Sequence, residues 1–114
     1  MGNMVTIKLD WDRITLKTAG RRMGKMYDAF GTYPRLYRTP HGFHCYLKTT
    51  KRINPDDMFV IRAYYEDDPF RVMLDKKRME QGMDWDVLFQ DYEVEVPEEE
   101  VRKLVNRHSF IKGA

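Results

Sequence analysis

The residues of this sequence best suited to chemistry are two aspartates, Asp10 and Asp12, at the end of an alternating segment. Side chains of a β-strand point alternately to opposite faces, so the strand predicted over residues 5–12 places both carboxylates on one face. Adjacent like charges repel each other, and a bound cation or a basic neighbour offsets that repulsion. The pair is therefore a candidate site for a divalent metal ion, and the alternative is a strand end that frays into a polar loop.

Length and composition predict a single globular domain around these residues. The chain has 114 residues, of which 42% are hydrophobic and 33% charged, a balance typical of a folded protein. No apolar run approaches the roughly 20 residues that span a membrane, and the N-terminus lacks the layout of a signal peptide. One cysteine allows no internal disulfide, and no Cys/His cluster has the spacing of a zinc site. We expect a cytoplasmic protein with no membrane partner.

The charge is divided unevenly along the chain. Residues 1–54 contain eleven Lys and Arg against three Asp and Glu, whereas residues 55–114 contain nine against fifteen. A basic segment of this kind favours an anionic partner such as nucleic acid or nucleotide phosphates. The alternative is an acidic half that folds back over the basic half.

Hydrophobic periodicity and capping residues predict the elements that position the aspartates. Apolar residues at three- and four-residue steps indicate amphipathic helices, and strict alternation indicates strands. Gly31 suits the end of the first helix, and Asn54 followed by Pro55 suits the start of the second. The predicted elements are a strand over 5–12, a helix over 16–30, strands over 33–38 and 42–49, a helix over 55–67 and a strand over 70–75.

This βαββαβ order is typical of an antiparallel sheet with both helices on one face, the ferredoxin-like or RRM-like (RNA-recognition-motif-like) fold of the α+β class. A further strand over residues 87–96 and a helix that Pro97 begins extend this core. We therefore expect one domain over residues 1–114, with the βαββαβ core in residues 5–78 and the extension in residues 79–114.

The sheet face that the helices leave open is predicted to carry the chemistry. With the fourth strand beside the first, Asp75 joins Asp10 and Asp12 and supplies enough carboxylate oxygens for one or two Mg²⁺ or Mn²⁺ ions. Lys48 and Arg71 are candidates to neutralise phosphate oxygens. The other polar residues predicted on this face include Lys8, His44 and Tyr46.

Three short motifs in this order resemble those of the archaeo-eukaryotic primase superfamily. They are Asp10-x-Asp12, Thr39-x-x-Gly42-x-His44 and Leu74-Asp75. The resemblance covers residues 5–78. It rests on the order of the motifs and of the elements between them as well as on the motifs themselves. It implies a primase-type palm in a minimal or degenerate form, because the chain is shorter than most palms of that family.

The resemblance also implies roles for individual residues. Asp10, Asp12 and Asp75 would be the catalytic metal ligands, and His44, in the same motif as Thr39, would contact the triphosphate. The implied reaction is template-directed nucleotidyl transfer in replication, with a hydroxyl attacking the α-phosphate of a nucleoside triphosphate. The implied partners are a nucleoside triphosphate, nucleic acid and a protein that completes a larger replication complex.

A non-catalytic RRM-like nucleic-acid-binding module, or a replication accessory protein, is the alternative function. Residues 41–47 loosely resemble the strand on which RNA recognition motifs stack bases, although alternation leaves only His44 and Tyr46 outside the core. Under either function the candidate nucleic-acid contacts are Lys8, Tyr46, Arg21, Arg22 and Lys25.

A rolling-circle replication nuclease shares this type of fold but fits the sequence poorly. Such an enzyme needs two histidines that alternate on one strand, and His41 and His44 are three residues apart. Tyr64 and Tyr65 resemble its nucleophile, but aromatic pairs on a helix are more typical of a core. We therefore expect both tyrosines to pack inside the protein.

Overall fold

The computed structural model describes residues 4–112, which form four helices and a four-stranded antiparallel sheet in the order β1-β3-β2-β4. The predicted α+β class is confirmed, and the arrangement is compatible with a ferredoxin-like one. The predicted domain also includes residues 1–3 and 113–114, which lie outside the described residues. The elements are β1 (Val5–Asp12), α1 (Leu16–Phe30), β2 (Arg35–Thr39), β3 (Gly42–Thr49), α2 (Pro55–Tyr64), α3 (Pro69–Glu80), β4 (Val94–Glu95) and α4 (Glu98–His108).

Strand β1 alternates between the two faces of the sheet as its sequence predicts. Ile7, Leu9 and Trp11 are at most 1% exposed and enter the core, while Asp10 and Asp12 lie on the other face. Strand β3 pairs with β1 in antiparallel register and alternates in the same way. The open face therefore carries the polar residues of both strands.

A two-residue turn joins β2 to β3 in the predicted hairpin. The hydroxyl of Thr39 accepts a hydrogen bond from the Gly42 N–H at 3.0 Å and closes the turn. A Cβ at Gly42 would lie 2.0 Å from the carbonyl oxygen of Trp11, so only glycine fits there. Thr39 therefore has a structural role at this turn.

Helices α1 and α4 pack together and cover the other face of the sheet. Thr15 caps α1 at its start, and Gly31, with φ of 72°, ends it. Gly24 allows the end of α4 to approach α1 closely, because a Cβ there would lie 2.7 Å from the His108 carbonyl carbon. No helix within residues 4–112 is long and apolar enough to cross a lipid bilayer.

Residues 70–75 form the first half of helix α3, so the strand predicted there is wrong. Asp68 caps this helix by accepting a hydrogen bond from the Phe70 N–H at 2.9 Å, and Pro69 occupies the first helical position. These two residues end the preceding turn and also begin a new helix. Helix α2 itself ends at Tyr64, three residues before the predicted end at Asp67.

The segment after α3 is mostly irregular, where a strand over residues 87–96 was predicted. Only Val94–Glu95 forms a strand, and it pairs with β2. Asp86 and Tyr92 have φ of 63° and 68°, values that interrupt an extended strand. The element order is therefore βαββααβα, and the predicted βαββαβ order is not confirmed.

The link between α2 and α3 lies against the edge of β1 where the fourth strand was predicted. The backbone N–H of Asp10 donates to Oδ1 of Asp67 at 2.8 Å, and the N–H of Asp68 donates to the carbonyl of Asp10 at 3.0 Å. Arg71 donates to the carbonyl of Lys8 at 3.1 Å. Side chains and one peptide group thus replace a neighbouring strand at this edge.

Candidate metal centre

Three carboxylates converge where β1 meets the link between α2 and α3. One oxygen each of Asp10, Asp12 and Asp68 lies within 4.8 Å of the other two. Asp12 is exposed, and the other two are partly buried. The two strand positions come from the alternation of β1, and the third acid comes from the N-cap of α3.

The environment of the cluster shifts the pKa of Asp10. Burial first, and then the charge of Asp12, raise the pKa of this carboxyl from its ordinary value of 3.8 to about 6. Asp67 and Asp68 act in the same direction, while His44 opposes them. Negative charge at this position is therefore only partly compensated by the protein itself.

The cluster lies on the wall of a cleft of about 520 Å³. This volume falls in the range of about 300–1,000 Å³ that is usual for small-molecule sites. Arg22 brings a cation into the cleft, with its guanidinium 5.4 Å from the centre of the Trp11 ring and 3.0 Å from Glu66. We call this the acidic cleft, and its lining includes Asp10, Asp12, Arg22, Glu66, Asp68 and Val72.

Asp75, predicted as the third metal ligand, does not belong to this cluster. Its side chain is 1% exposed, and Oδ2 lies 2.8 Å from Nη2 of Arg62, which is fully buried. The error follows from the wrong element, because a helix directs Asp75 toward α2 instead of along a strand beside β1. Asp68, seven positions earlier, takes the place that was predicted for Asp75.

Asp75 belongs to a buried ion network that also includes Asp67, in the link between α2 and α3. Arg71, predicted to contact nucleotide phosphate, is also part of this network, with contacts of 2.8 Å to both Asp67 and Asp86. It is therefore already paired with carboxylates. Around the guanidinium of Arg62 the network places Asp67 at 2.7 Å, Asp75 at 2.8 Å and Asp86 at 3.6 Å.

His44 lies next to Asp10, as the register of β1 and β3 requires. Its Nε2 is 3.5 Å from Oδ1 of Asp10, and its Nδ1 is 2.6 Å from Oε1 of Glu93. Because both ring nitrogens face carboxylates and the residue is 8% exposed, this geometry does not support the predicted triphosphate contact. It supports a role in orienting Asp10.

Three other residues of the open face were predicted to contact nucleotide or nucleic acid. Two of them make hydrogen bonds within the protein, and the third is exposed. The hydroxyl of Tyr46 donates to Glu93, and burial, followed by Glu93, raises its pKa. Lys8 donates to the carbonyl of Asp86 at 2.9 Å. Lys48 is exposed and lines a separate cleft of about 400 Å³. The structure therefore does not bring Lys48 to the acidic cluster.

The three predicted cations of α1 lie close together. Arg21, Arg22 and Lys25 line a cleft of about 450 Å³ that shares Arg22 and Glu66 with the acidic cleft. Tyr65 lies in this cleft and is 6% exposed, as predicted for a core residue, but Tyr64 is 69% exposed. The prediction that both tyrosines pack inside is wrong for Tyr64.

Asp68 and Glu93 are two of the acids near the centre that were missed from the sequence. Asp68 carries a usable signal, because an aspartate directly before a proline is typical of a helix start. Glu93 carries none, since an irregular segment brings it to His44 across 49 positions of the chain. A local sequence pattern can therefore identify a residue such as Asp68, but not a residue such as Glu93 that a long-range contact places.

The donor set fits a hard divalent cation. Mg²⁺ and Mn²⁺ prefer carboxylate oxygens and commonly retain waters or substrate phosphates in their coordination shell. Three carboxylates beside an open cleft provide such oxygens and leave space for a ligand. Comparisons with protein-family models, curated proteins and solved structures find no match to this chain.

Proposed function

We propose that this protein binds a nucleotide in the acidic cleft with the help of Mg²⁺ or Mn²⁺. The observation that carries the proposal is the convergence of Asp10, Asp12 and Asp68 on one wall of that cleft. Phosphate groups need positive charge to approach three carboxylates, and a divalent ion supplies it. Arg22 lines the same cleft but is paired with Glu66 at 3.0 Å, so the divalent ion would supply the positive charge for the phosphates.

The repulsion within the cluster supports a bound ion over a purely structural role. The side chain of Asp12 is exposed and makes no hydrogen bond or ion pair with any residue in 4–112, so its charge serves no structural contact there. Burial first, and repulsion by Asp12 second, raise the pKa of Asp10 and disfavour its ionised form. A cation between them would favour that form.

The sharper form of the proposal is template-directed nucleotidyl transfer, as the resemblance to primase palms implies. In this form Asp10 and Asp12 keep their implied roles, and Asp68 replaces Asp75. A bound divalent ion supplies neutralisation of phosphate charge and a lower pKa for an attacking hydroxyl. His44 would hold Asp10 in position from β3, supported by Glu93.

Calorimetric titration of Mn²⁺, with and without ATP, tests the proposal. Asp12→Asn removes one negative charge and one of the two carboxylate oxygens, so we expect the Mn²⁺ affinity to fall roughly tenfold or more. The metal-dependent binding of ATP should fall with it. The matched control is Asp84→Asn, because Asp84 is exposed and begins a second acid-x-acid sequence outside the cluster. Equal Mn²⁺ affinity in the parent and the Asp12→Asn variant would overturn the proposal.

The stability of the same variant without metal separates a binding role from a structural one. Asp12→Asn relieves repulsion and breaks no described contact, so the free energy of unfolding should stay unchanged or rise by about 0.5 kcal/mol. Urea unfolding in EDTA measures this change. A clear loss of stability would instead assign Asp12 a structural role.

A further inference from the structure

A second cleft lies beside the acidic cleft and has the opposite charge. It has a volume of about 450 Å³, and Arg22 and Glu66 form the wall between the two clefts. We call it the basic cleft, and the lining residues that matter here are Arg21, Arg22, Lys25, Tyr64, Tyr65 and Glu66.

Two of the three cations that line the basic cleft form no ion pair with a described acid. Arg21 and Lys25 are exposed and form no ion pair with any residue in the described range 4–112. Glu66 is the acid in the lining, and its carboxylate pairs with Arg22 at 3.0 Å. The pKa of nearby His108 is lowered by burial and then by the charges of Arg21, Arg107 and Lys17. This face of α1 thus has a positive potential.

Tyr64 adds an exposed aromatic ring to these cations. It is 69% exposed, whereas its neighbour Tyr65 is 6% exposed, and the two rings meet edge to face at 4.9 Å. The buried ring therefore packs against the exposed one. Because Tyr64 is largely exposed, part of its ring is accessible to a planar ligand.

We propose that the basic cleft binds single-stranded nucleic acid, with a base stacked on Tyr64 and phosphates on Arg21 and Lys25. Cations along a groove beside an exposed aromatic ring are the combination by which proteins hold single strands without reading their sequence. Bases in a duplex are already stacked on each other and cannot use the ring. A free anion would use the cations alone.

This inference goes beyond the proposed function, because it concerns another cleft and requires no metal ion. Glu66 repels phosphate at the wall between the clefts, so the strand's backbone lies on the side of Arg21 and Lys25. Binding is therefore measured in EDTA, where the acidic cleft cannot take up a divalent ion. A failure of one proposal leaves the other standing.

Fluorescence anisotropy of labelled ten-nucleotide oligo-dT and oligo-U tests the stacking role of Tyr64. Loss of one base-to-ring stack should lower the affinity of Tyr64→Ala about tenfold, while Tyr64→Phe keeps the ring and the affinity of the parent. The two oligonucleotides distinguish DNA from RNA as the strand. Thermal unfolding of each variant confirms that it is folded.

The salt dependence of binding tests the two cations. Each phosphate contact to a single strand contributes about 0.7 to the slope of log affinity against log salt concentration. The double variant Arg21→Gln/Lys25→Gln should therefore lower the slope by about 1.4. The charge-matched control is Arg52→Gln/Lys77→Gln, whose residues are exposed and outside both clefts. The slope for this control variant should fall much less than the slope for Arg21→Gln/Lys25→Gln.

Two results would overturn the inference. The first is equal oligonucleotide affinity in the parent and Tyr64→Ala, together with equal competition by inorganic polyphosphate, since the cleft would then bind any polyanion. The second is an affinity for a duplex of the same length that equals the affinity for the single strand. The inference is supported if the protein binds the single strand more tightly than the duplex and if this preference is lost in Tyr64→Ala.

Discussion

In the proposed metal centre, a proton and a divalent ion would compete for the carboxylate of Asp10. Burial, together with Asp12, raises the pKa of this group to about 6, so it becomes fully ionised only above neutral pH. His44, 3.5 Å away, acts in the opposite direction. We therefore expect the cation affinity of the proposed centre to depend on pH in the physiological range.

Metal binding should weaken sharply in mild acid. Below pH 6 a cation must displace the proton of Asp10, which lowers the apparent Mn²⁺ affinity by about tenfold for each pH unit. Titrations at pH 5.0, 6.0 and 7.5 measure this dependence. In Asp10→Asn the affinity should be weaker at pH 7.5 and much less sensitive to pH. An equally steep dependence in that variant would contradict the assignment.

The same pKa makes a second prediction for the protein without metal. A carboxyl with a raised pKa binds more protons in the folded state than in the unfolded state between about pH 4 and pH 6. Its contribution to the free energy of unfolding is therefore favourable at low pH and is lost as the pH rises through that window. Asp10→Asn should gain stability over the parent at pH 7 and little at pH 4. Thermal unfolding in EDTA measures the difference.

At the scale of elements, the contact between α1 and the end of α4 depends on Gly24. A Cβ at Gly24 would lie 2.7 Å from the backbone of His108, whereas a Cβ at Gly20 would lie 3.0 Å from the side chain of His108. A backbone cannot move aside as easily as a side chain can. The two positions therefore differ in their tolerance for alanine.

Gly24→Ala should destabilise the protein by about 1–2 kcal/mol, because the steric cost exceeds the gain in helix propensity. Gly20→Ala is the matched control and should change stability by less than about 0.5 kcal/mol, since the His108 side chain can rotate away. Urea unfolding of both variants measures these changes. Equal effects of the two substitutions would mean that the helices can separate freely.

Elements with local signals could be predicted from the sequence, and those that depend on distant contacts could not. The alternation in β1 and β3 and the caps of α1 act within a few residues. The pattern over residues 70–75 fits either a strand or a short piece of helix. Pairing with Arg62 on α2 accompanies the helical form, and no local pattern contains that contact.

For the candidate centre too, the part that depends on local sequence could be predicted and the part that depends on distant contacts could not. Asp10 and Asp12 share a strand, so their proximity follows from the strand period alone. The third acid depends on where a link between two helices meets β1, which is set by tertiary packing. Asp75 was predicted from a strand over residues 70–75 beside the first strand, and the resemblance implied the same residue; the structure places Asp68 beside Asp10 and Asp12 instead.

At the scale of the whole molecule, the buried ion network joins α2, α3 and the segment after α3. Asp75→Asn leaves the fully buried guanidinium of Arg62 with one carboxylate fewer, so we expect a loss of about 3 kcal/mol in the free energy of unfolding. Glu95→Gln removes an exposed pair with Arg35 at 3.9 Å and should cost less than about 1 kcal/mol. Urea unfolding compares them. A similar small loss in both would show that the network contributes little.

The hydrogen bonds from Asp67, Asp68 and Arg71 to the edge of β1 have a consequence for self-association. An unpaired strand edge is a template on which a second chain can add its own strand, and such additions lead to aggregates. Here the backbone groups of Asp10 and the carbonyl of Lys8 already have partners. The contacts that carry Asp68 to the carboxylate cluster thus also protect this side of the sheet from intermolecular β-pairing.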